Sequence, residues 1–164
     1  MLPTGEHKPA MMSAIRELVD FIGDRQLDQK LGEALNETFG QGTAKYGNLV
    51  KLLRHGIEEK WACYTEIKGP DYRRGRIADP SSETRGFSIE SSMIKDAVGN
   101  YHVHTRGEIN MVAPIDETGQ FCGQGPGWSV FAPGSEHYPT VTGGKVTTLF
   151  LLPNGEIEYR APRS

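Results

Sequence analysis

Residues 99–108, Gly-Asn-Tyr-His-Val-His-Thr-Arg-Gly-Glu, are the part of this 164-residue chain from which its fold is best inferred. Tyr and Val, with the alternating apolar residues on either side, predict a β-strand. Because the side chains of a strand alternate between its faces, His102 and His104 point the same way. Glu108 shares their parity, and a bend at Gly107 would bring its carboxylate back towards the two imidazoles.

A second stretch, residues 127–137, supplies a further histidine. It reads Gly-Trp-Ser-Val-Phe-Ala-Pro-Gly-Ser-Glu-His, and its Pro-Gly turn could bring His137 to the others from a neighbouring strand. Isolated histidines usually lie on the surface or in the core, but three of the five histidines fall in these two stretches. Imidazole and carboxylate ligands suit divalent first-row metals. We therefore expect one divalent transition metal, with Fe, Mn or Zn favoured, bound by His102, His104, Glu108 and His137.

Composition and charge limit the classes of protein to which the chain can belong. Hydrophobic residues make up 37% of the sequence and charged residues 24%, as is ordinary for one globular domain of this length. The net charge of −3 and the absence of a long Lys/Arg run give no support for a nucleic acid or membrane partner. No apolar run approaches membrane-spanning length and the N-terminus lacks a signal-peptide pattern, so we expect a cytoplasmic protein.

Helical periodicity occupies the first third of the chain and strand periodicity the rest. Apolar residues at helical spacing predict three helices, ending near Ile22, Phe39 and Ile57, with Thr43 capping the third. From Trp61 onwards, alternation and frequent turn residues predict many short strands, as in a sandwich or barrel.

These patterns predict an α+β fold that forms one compact unit. Residues 1–60 are expected to form a helical N-terminal segment packed on a β-barrel made of residues 61–164. Isolated helices of this length are marginal in water, so they should pack on the sheet or on a second subunit. A homodimer or higher homo-oligomer is therefore expected.

The two histidine stretches together resemble the motifs of the cupin superfamily. The first motif of that family places a Glu three or four residues after His-x-His, as residues 102–108 do here, although Gly99 stands closer to the first histidine than in the family. The second motif runs through Pro-x-Gly to a His, and here Pro133 and Gly134 are adjacent. The resemblance implies a double-stranded β-helix, a small jelly-roll barrel with the metal in its mouth.

Arginine side chains are candidates for binding a substrate carboxylate, because the guanidinium group makes two-pronged contacts with carboxylates. Residues 68–86 are polar and rich in turn residues, which predicts a long connection that is either a binding lid or a solvated basic loop. Of its four arginines, Arg73, Arg76 and Arg85 are candidates. Arg106 is another, because its parity matches that of the histidine ligands unless the bend at Gly107 turns it outward.

The remaining candidates are an aromatic wall and groups that transfer protons. Trp128 could pack against an aromatic substrate. Tyr138 or Glu136 is a candidate for proton transfer, and Glu108 is a candidate catalytic residue as well as a metal ligand.

The whole chain also resembles the 4-hydroxylaminobenzoate lyase family of bacterial nitroaromatic degradation. The resemblance includes the helical first third, the run Asp-Tyr-Arg-Arg-Gly-Arg at 71–76, and residues 102–137. It implies conversion of a small aromatic carboxylate, 4-hydroxylaminobenzoate, to 3,4-dihydroxybenzoate (protocatechuate) with release of ammonia. Substrate plus water balances product plus ammonia without net oxidation, and the sequence has no dinucleotide-binding fingerprint.

Two other functions use the same features. An iron-dependent cupin dioxygenase or isomerase of a small aromatic acid would need the same ligand set, and uptake of oxygen would distinguish the dioxygenase from the lyase. A non-catalytic cupin would bind a small ligand and form no product.

Overall fold

Residues 5–162 are described by a computed structural model, in which helices precede strands. The helices are α1 (Lys8–Ile22), α2 (Gln29–Phe39) and α3 (Ala44–Glu58). The strands are β1 (Thr65–Glu66), β2 (Tyr72–Ala78), β3 (Phe87–Val98), β4 (His102–His104), β5 (Glu108–Pro114), β6 (Gln120–Phe121), β7 (Gly127–Phe131), β8 (Ser135–His137), β9 (Thr140–Pro153) and β10 (Glu158–Tyr159). The predicted α+β class is confirmed, while the outer ends of the two predicted segments, residues 1–4 and 163–164, lie outside the described residues.

The strands form two antiparallel sheets that enclose a cavity. The larger sheet has the order β1-β2-β3-β9-β5-β7, with β6 beside β9, and the smaller has the order β10-β4-β8. Side chains of both sheets line the cavity, among them Asn110 from the larger sheet and His102 from the smaller. This is the double-stranded β-helix that the resemblance to cupins implies.

The central strands β3, β5 and β9 of the larger sheet are mostly buried on both faces, because the helices cover the side that points away from the cavity. On β5, Ile109 and Met111 pack in the same core cluster as the helices. The alternate residues Glu108 and Asn110 line the cavity. The period of two along a strand therefore separates the structural face of the sheet from the face that forms the site.

Local signals begin the second and third helices, and tertiary contacts hold them on the sheet. Asp28 accepts a hydrogen bond from the backbone N–H of Leu31 at 3.0 Å, and Thr43, as predicted, accepts one from Tyr46 at 3.1 Å. Asn36 of α2 accepts from the backbone N–H of Trp128 at 2.8 Å and donates to its carbonyl at 3.1 Å. Such contacts stabilise helices that would be marginal alone.

The structure differs from the sequence pattern at two places in residues 62–86. Residues 62–67 alternate like a strand, but only Thr65–Glu66 form β1, because positive φ angles at Lys60 (64°) and Cys63 (50°) turn the chain before it. The predicted polar connection at 68–86 contains β2, which pairs along β3 from Tyr72↔Ile94 to Ala78↔Ile89. The backbone hydrogen bonds of that pairing stabilise a strand whose polar sequence does not alternate clearly.

None of the helices in residues 5–162 is both long enough and apolar enough to cross a membrane.

Candidate metal centre and substrate cavity

Three histidine side chains meet at one point on the smaller sheet. His102 and His104 come from β4, and His137 from β8, where it pairs directly with His102. Each pair of Nε2 atoms among the three imidazoles is separated by 3.0 Å. Two features therefore bring the three nitrogen atoms together: the side chains of His102 and His104 lie on the same face of β4, and the register of β4 with β8 places His137 beside them.

The three imidazoles are in the form that binds metals. Burial, together with the neighbouring His137, lowers the pKa of His102 to about 4. Burial and both neighbouring imidazoles lower the pKa of His104 to about 3, and burial also lowers the pKa of His137. The rings are therefore neutral at neutral pH, and neutral imidazole nitrogen is the ligand that Zn, Fe and Mn sites use.

Such a cluster is unfavourable without a cation between its members. A hydrogen bond links only two nitrogens at a time, so three Nε2 atoms at mutual distances of 3.0 Å leave lone pairs facing each other. A divalent cation would be attracted to all three lone pairs at once. The residues present thus fit a divalent transition metal.

Other contacts orient the rings. The Nδ1 atom of His102 lies 3.1 Å from the carbonyl oxygen of Asn100, and the Nδ1 atom of His137 lies 3.7 Å from the Sγ atom of Cys122. The Phe131 ring packs against the rings of His104 and His137, with centroid distances of 5.4 and 4.6 Å. Contacts of this kind fix which nitrogen faces the centre.

Glu108 lies beside the triad, at the start of β5. The positive φ of 92° at Gly107 makes the predicted bend, and Glu108 Oε2 ends 3.9 Å from His104 Nε2. Burial raises the pKa of Glu108 to about 8, although Asn110 donates a hydrogen bond to Oε2 at 3.1 Å. A bound cation would lower this pKa, because opposite charge favours the carboxylate.

A cavity adjoins the triad. Its volume is about 150 Å³, similar to that of an apolar cavity that holds a benzene ring. Near the triad, the polar atoms that line the cavity come from His102, Glu108 and Asn110. The apolar part of the wall is formed by Ile67, Ile94, Phe121, Phe150 and Ile157.

None of the four arginines expected to bind substrate lines this cavity; each is within 3.5 Å of a carboxylate. Arg73 contacts Glu66 at 3.2 Å, and Arg85 contacts Asp24 at 3.3 Å. Arg76 contacts Glu90 at 2.8 Å, while Arg106 is turned outward by the bend at Gly107 and contacts Glu156 at 3.4 Å. The structure therefore places Arg73, Arg76 and Arg85 away from the cavity, and for Arg106 it shows the outward alternative that the sequence analysis left open.

Trp128 and Tyr138 also lie away from the cavity lining. Trp128 is 2% exposed, donates from Nε1 to the carbonyl of Phe39 at 3.0 Å, and belongs to the core between the sheet and α2. Tyr138 is 47% exposed and packs edge-on against Tyr101. The aromatic wall is therefore supplied by other residues, and Tyr138, although next to His137 in the chain, is not among the residues that line the cavity.

Sequence reasoning predicted only His102 and Glu108 among the residues that line the cavity, and Arg74 and Tyr159 are among those it missed. The sequence predicts a connection over residues 68–86, and a connection has no alternating faces, so the pattern could not single out Arg74 from the neighbouring arginines. On β2 it shares the parity of Tyr72, which also lines the cavity. The one signal in the sequence was the spacing of Arg74 two residues after Tyr72, which would place both side chains on the same face of a strand.

A double-stranded β-helix with imidazoles from two strands converging beside its cavity is the architecture of a cupin. The chain is similar over 95% of its length, at 17% identity and a TM-score of 0.52, to 95% of a chain from crystal structures of DMSP lyases, which shows the fold alone. A family model described as 4-hydroxylaminobenzoate lyase (PnbB) matches residues 13–159. The chain therefore belongs to the 4-hydroxylaminobenzoate lyase family, whose members are lyases.

Two relatives support this membership. A 4-hydroxylaminobenzoate lyase of Nocardioides sp. (strain LMS-CY) is 37% identical over 163 residues, which cover 90% of this chain and 96% of the relative. A 4-hydroxylaminobenzoate lyase of Pseudomonas putida is 37% identical over 159 residues, with 86% and 90% covered. The similarity thus extends over both the helices and the barrel.

Proposed function

We propose that this chain is a metal-dependent 4-hydroxylaminobenzoate lyase that forms 3,4-dihydroxybenzoate and ammonia. The observation that carries the metal dependence is the set of three Nε2 atoms, each 3.0 Å from the others, beside a cavity of about 150 Å³. His102, His104 and His137 would hold one Fe, Mn or Zn ion, with Glu108 beside them. When bound, this metal supplies Lewis-acid chemistry for cleavage of the N–O bond.

The reaction balances within the substrate. Nitrogen gains two electrons as the N–O bond breaks, and the adjacent ring carbon loses two as a C–O bond to a water oxygen forms. The leaving hydroxyl takes a proton and departs as water. Hydrolysis of the resulting imine consumes a second water and releases ammonia, so the net requirement is one water and no external oxidant.

The side chains of the cavity have three tasks in this scheme. Glu108, held by Asn110, faces the cavity beside His104, and its carboxylate is the candidate group that takes a proton from cavity water and passes it to the leaving oxygen. The apolar residues Ile94, Phe121 and Phe150 hold the ring and limit the water that reaches it. The cavity must also keep a base away from the hydroxylated ring carbon, because early loss of its proton would give the aminophenol instead of ammonia.

The test is anaerobic assay of the protein loaded separately with Fe(II), Mn(II) or Zn(II). We expect ammonia and 3,4-dihydroxybenzoate in equal amounts from 4-hydroxylaminobenzoate, with at least one metal and without oxygen. His102→Ala and His104→Ala should lose bound metal and at least about 100-fold in rate, since removal of a metal ligand or its partner costs 10–100-fold or more. Lys51→Ala, which changes an exposed side chain on α3, is the control and should retain both.

Three results would contradict the proposal. Full ammonia release from metal-free protein would exclude metal dependence. Strict dependence on oxygen, with oxygen uptake equal to product, would assign a dioxygenase. Binding of the aromatic acid without any product would assign a ligand-binding cupin.

A further inference from the structure

Arg74 differs from the other arginines of the barrel described above in its surroundings. It is half-buried on β2 and lines the cavity. Its Nη1 atom donates to the Tyr159 hydroxyl at 2.6 Å, and its Cζ atom lies 5.3 Å from the centre of the Phe150 ring. Within residues 5–162, no carboxylate lies within ion-pair distance of Arg74.

A cation in this position favours an anionic ligand. Removing a guanidinium from water is unfavourable unless an anion or several acceptors replace the water. Arg74 has one hydroxyl and one ring face, whereas its neighbour Arg73 has the carboxylate of Glu66. The remaining N–H groups of Arg74 are therefore available to an anion in the cavity.

The hydroxyl of Tyr159 is a second hydrogen-bond donor that an anion beside Arg74 could use. Its hydroxyl accepts the hydrogen bond from Arg74, so its own O–H proton remains free to be donated. The residue is held by the pairing of β10 with β4, where Tyr159 lies opposite His102, and its ring packs edge-on against that imidazole at 5.7 Å. Just beyond it, Arg160 contacts Glu136 at 3.0 Å and fastens the end of this segment.

We propose that Arg74 and Tyr159 form the subsite that binds the carboxylate of the substrate, and that this subsite makes the enzyme selective for anionic aromatic substrates. The inference rests on the proposed function, because it assigns the group that orients the same substrate. The guanidinium donates two hydrogen bonds to the carboxylate and the Tyr159 hydroxyl donates a third. With the carboxylate held there, the ring would lie among the apolar residues of the same cavity that His102 and Glu108 line, so the nitrogen would share that cavity with the triad.

Binding of two probes that differ only in the carboxylate tests the subsite without turnover. Calorimetry on Zn-loaded protein would compare 3,4-dihydroxybenzoate with catechol. For Arg74→Gln we expect Kd of 3,4-dihydroxybenzoate to rise roughly 10- to 100-fold, the range for loss of hydrogen bonds to a charged group, and Kd of catechol to change less than about twofold. Tyr159→Phe, which keeps the ring, should raise only the first Kd, by a smaller factor.

The controls separate loss of the subsite from general damage. Lys95→Gln removes a positive charge from the exposed part of β3 and should change neither Kd. Zinc content should be unchanged in every variant. If Arg74→Gln fails to fold, Arg74→Lys keeps a charge but loses the fork of the guanidinium, and it should show an intermediate rise for 3,4-dihydroxybenzoate only.

The outcome is separable from that of the proposed function. Equal loss of both probes in Arg74→Gln, or no loss of 3,4-dihydroxybenzoate, would overturn the subsite even if the wild-type protein releases ammonia. Selective loss of 3,4-dihydroxybenzoate would support the subsite even if the wild-type protein releases none. In an active enzyme, we also expect N-phenylhydroxylamine, which lacks the carboxylate, to react equally slowly in wild type and in Arg74→Gln.

Discussion

At the scale of single residues, Gly107 decides whether Glu108 comes to lie beside His102 and His104. Gly107 has a φ of 92°, in the left-handed region, and separates β4 of the smaller sheet from β5 of the larger. A Cβ atom there would lie 2.8 Å from both Leu27 Cδ2 and the carbonyl oxygen of Phe131. The turn that places Glu108 beside His104 therefore depends on the absence of a side chain.

Gly107→Ala should destabilise the protein by about 2 to 4 kcal/mol, because the left-handed conformation and the close contacts both oppose a methyl group. Gly134 is a matched control: its φ is 83°, and a Cβ there would meet no atom within 4 Å. Gly134→Ala should cost only about 1 kcal/mol. Urea denaturation of metal-free samples measures both, and an equal loss in the two variants would show that contacts with Leu27 and Phe131 do not matter.

At the scale of elements, one carboxylate joins the start of α1 to the end of α3. Glu59 accepts hydrogen bonds from the backbone N–H of His7 at 3.0 Å and from Trp61 Nε1 at 2.9 Å, and its other oxygen contacts the His7 imidazole. The His7 ring also stacks on His55 of α3, with centroids 3.7 Å apart. These contacts tie the helical layer together at one end.

Glu59→Gln should lower the midpoint of thermal unfolding at pH 7, whereas the exposed neighbour Glu58→Gln should change it little. Desolvation acts to raise the pKa of Glu59, but hydrogen bonds from His7 and Trp61 outweigh it and lower the pKa to about 2. A depressed carboxyl pKa stabilises the fold above the unfolded value near 4.5, and this contribution disappears as the pH falls towards 2. The difference in unfolding midpoint between wild type and Glu59→Gln should therefore disappear as the pH falls from about 4.5 to 2. A difference that does not change with pH would contradict this role of Glu59.

At the scale of the whole molecule, the triad lies in the smaller sheet, where residues 99–108 and 127–137 are brought together by the pairing of β4 with β8. His102 and His104 are on β4 and His137 is on β8, which is 33 residues from His104 along the chain. A bound metal would stabilise the folded state by mass action, because the unfolded chain does not hold the three nitrogens together. The predicted homo-oligomer and the predicted location in the cytoplasm stay predictions.

Metal-free protein should lose stability as the pH falls from about 6.5 to 4. The folded state lowers the pKa of His102 to about 4 and that of His104 to about 3, so between these values and 6.5 the unfolded chain binds more protons. Saturating Zn²⁺ at pH 7 should raise the free energy of unfolding by about 3 kcal/mol at 100 times Kd. Urea midpoints against pH, with and without zinc, measure both effects; His102→Gln should show a weaker pH dependence, and an unchanged one would contradict the assignment.

Several parts of the fold and site depend on local patterns and could be predicted from the sequence. The helical faces of α1 to α3 and the cap at Thr43 involve residues three to four positions apart. The shared direction of His102 and His104 follows from the two-residue period of a strand. The bend at Gly107 was also predictable, because glycine is the residue that adopts positive φ without strain.

The tertiary structure alone decided which arginine lines the cavity beside the histidine triad. The segment of β2 is polar, and it is a strand because β1 and β3 supply its backbone partners, so the parity that selects Arg74 over Arg73 is invisible in the sequence. The burial of Trp128 likewise depends on α2, whose Asn36 is 92 residues away. Periodicity reports on neighbours along the chain, whereas the pairing of distant strands and helices determines which of two alternating faces becomes the site.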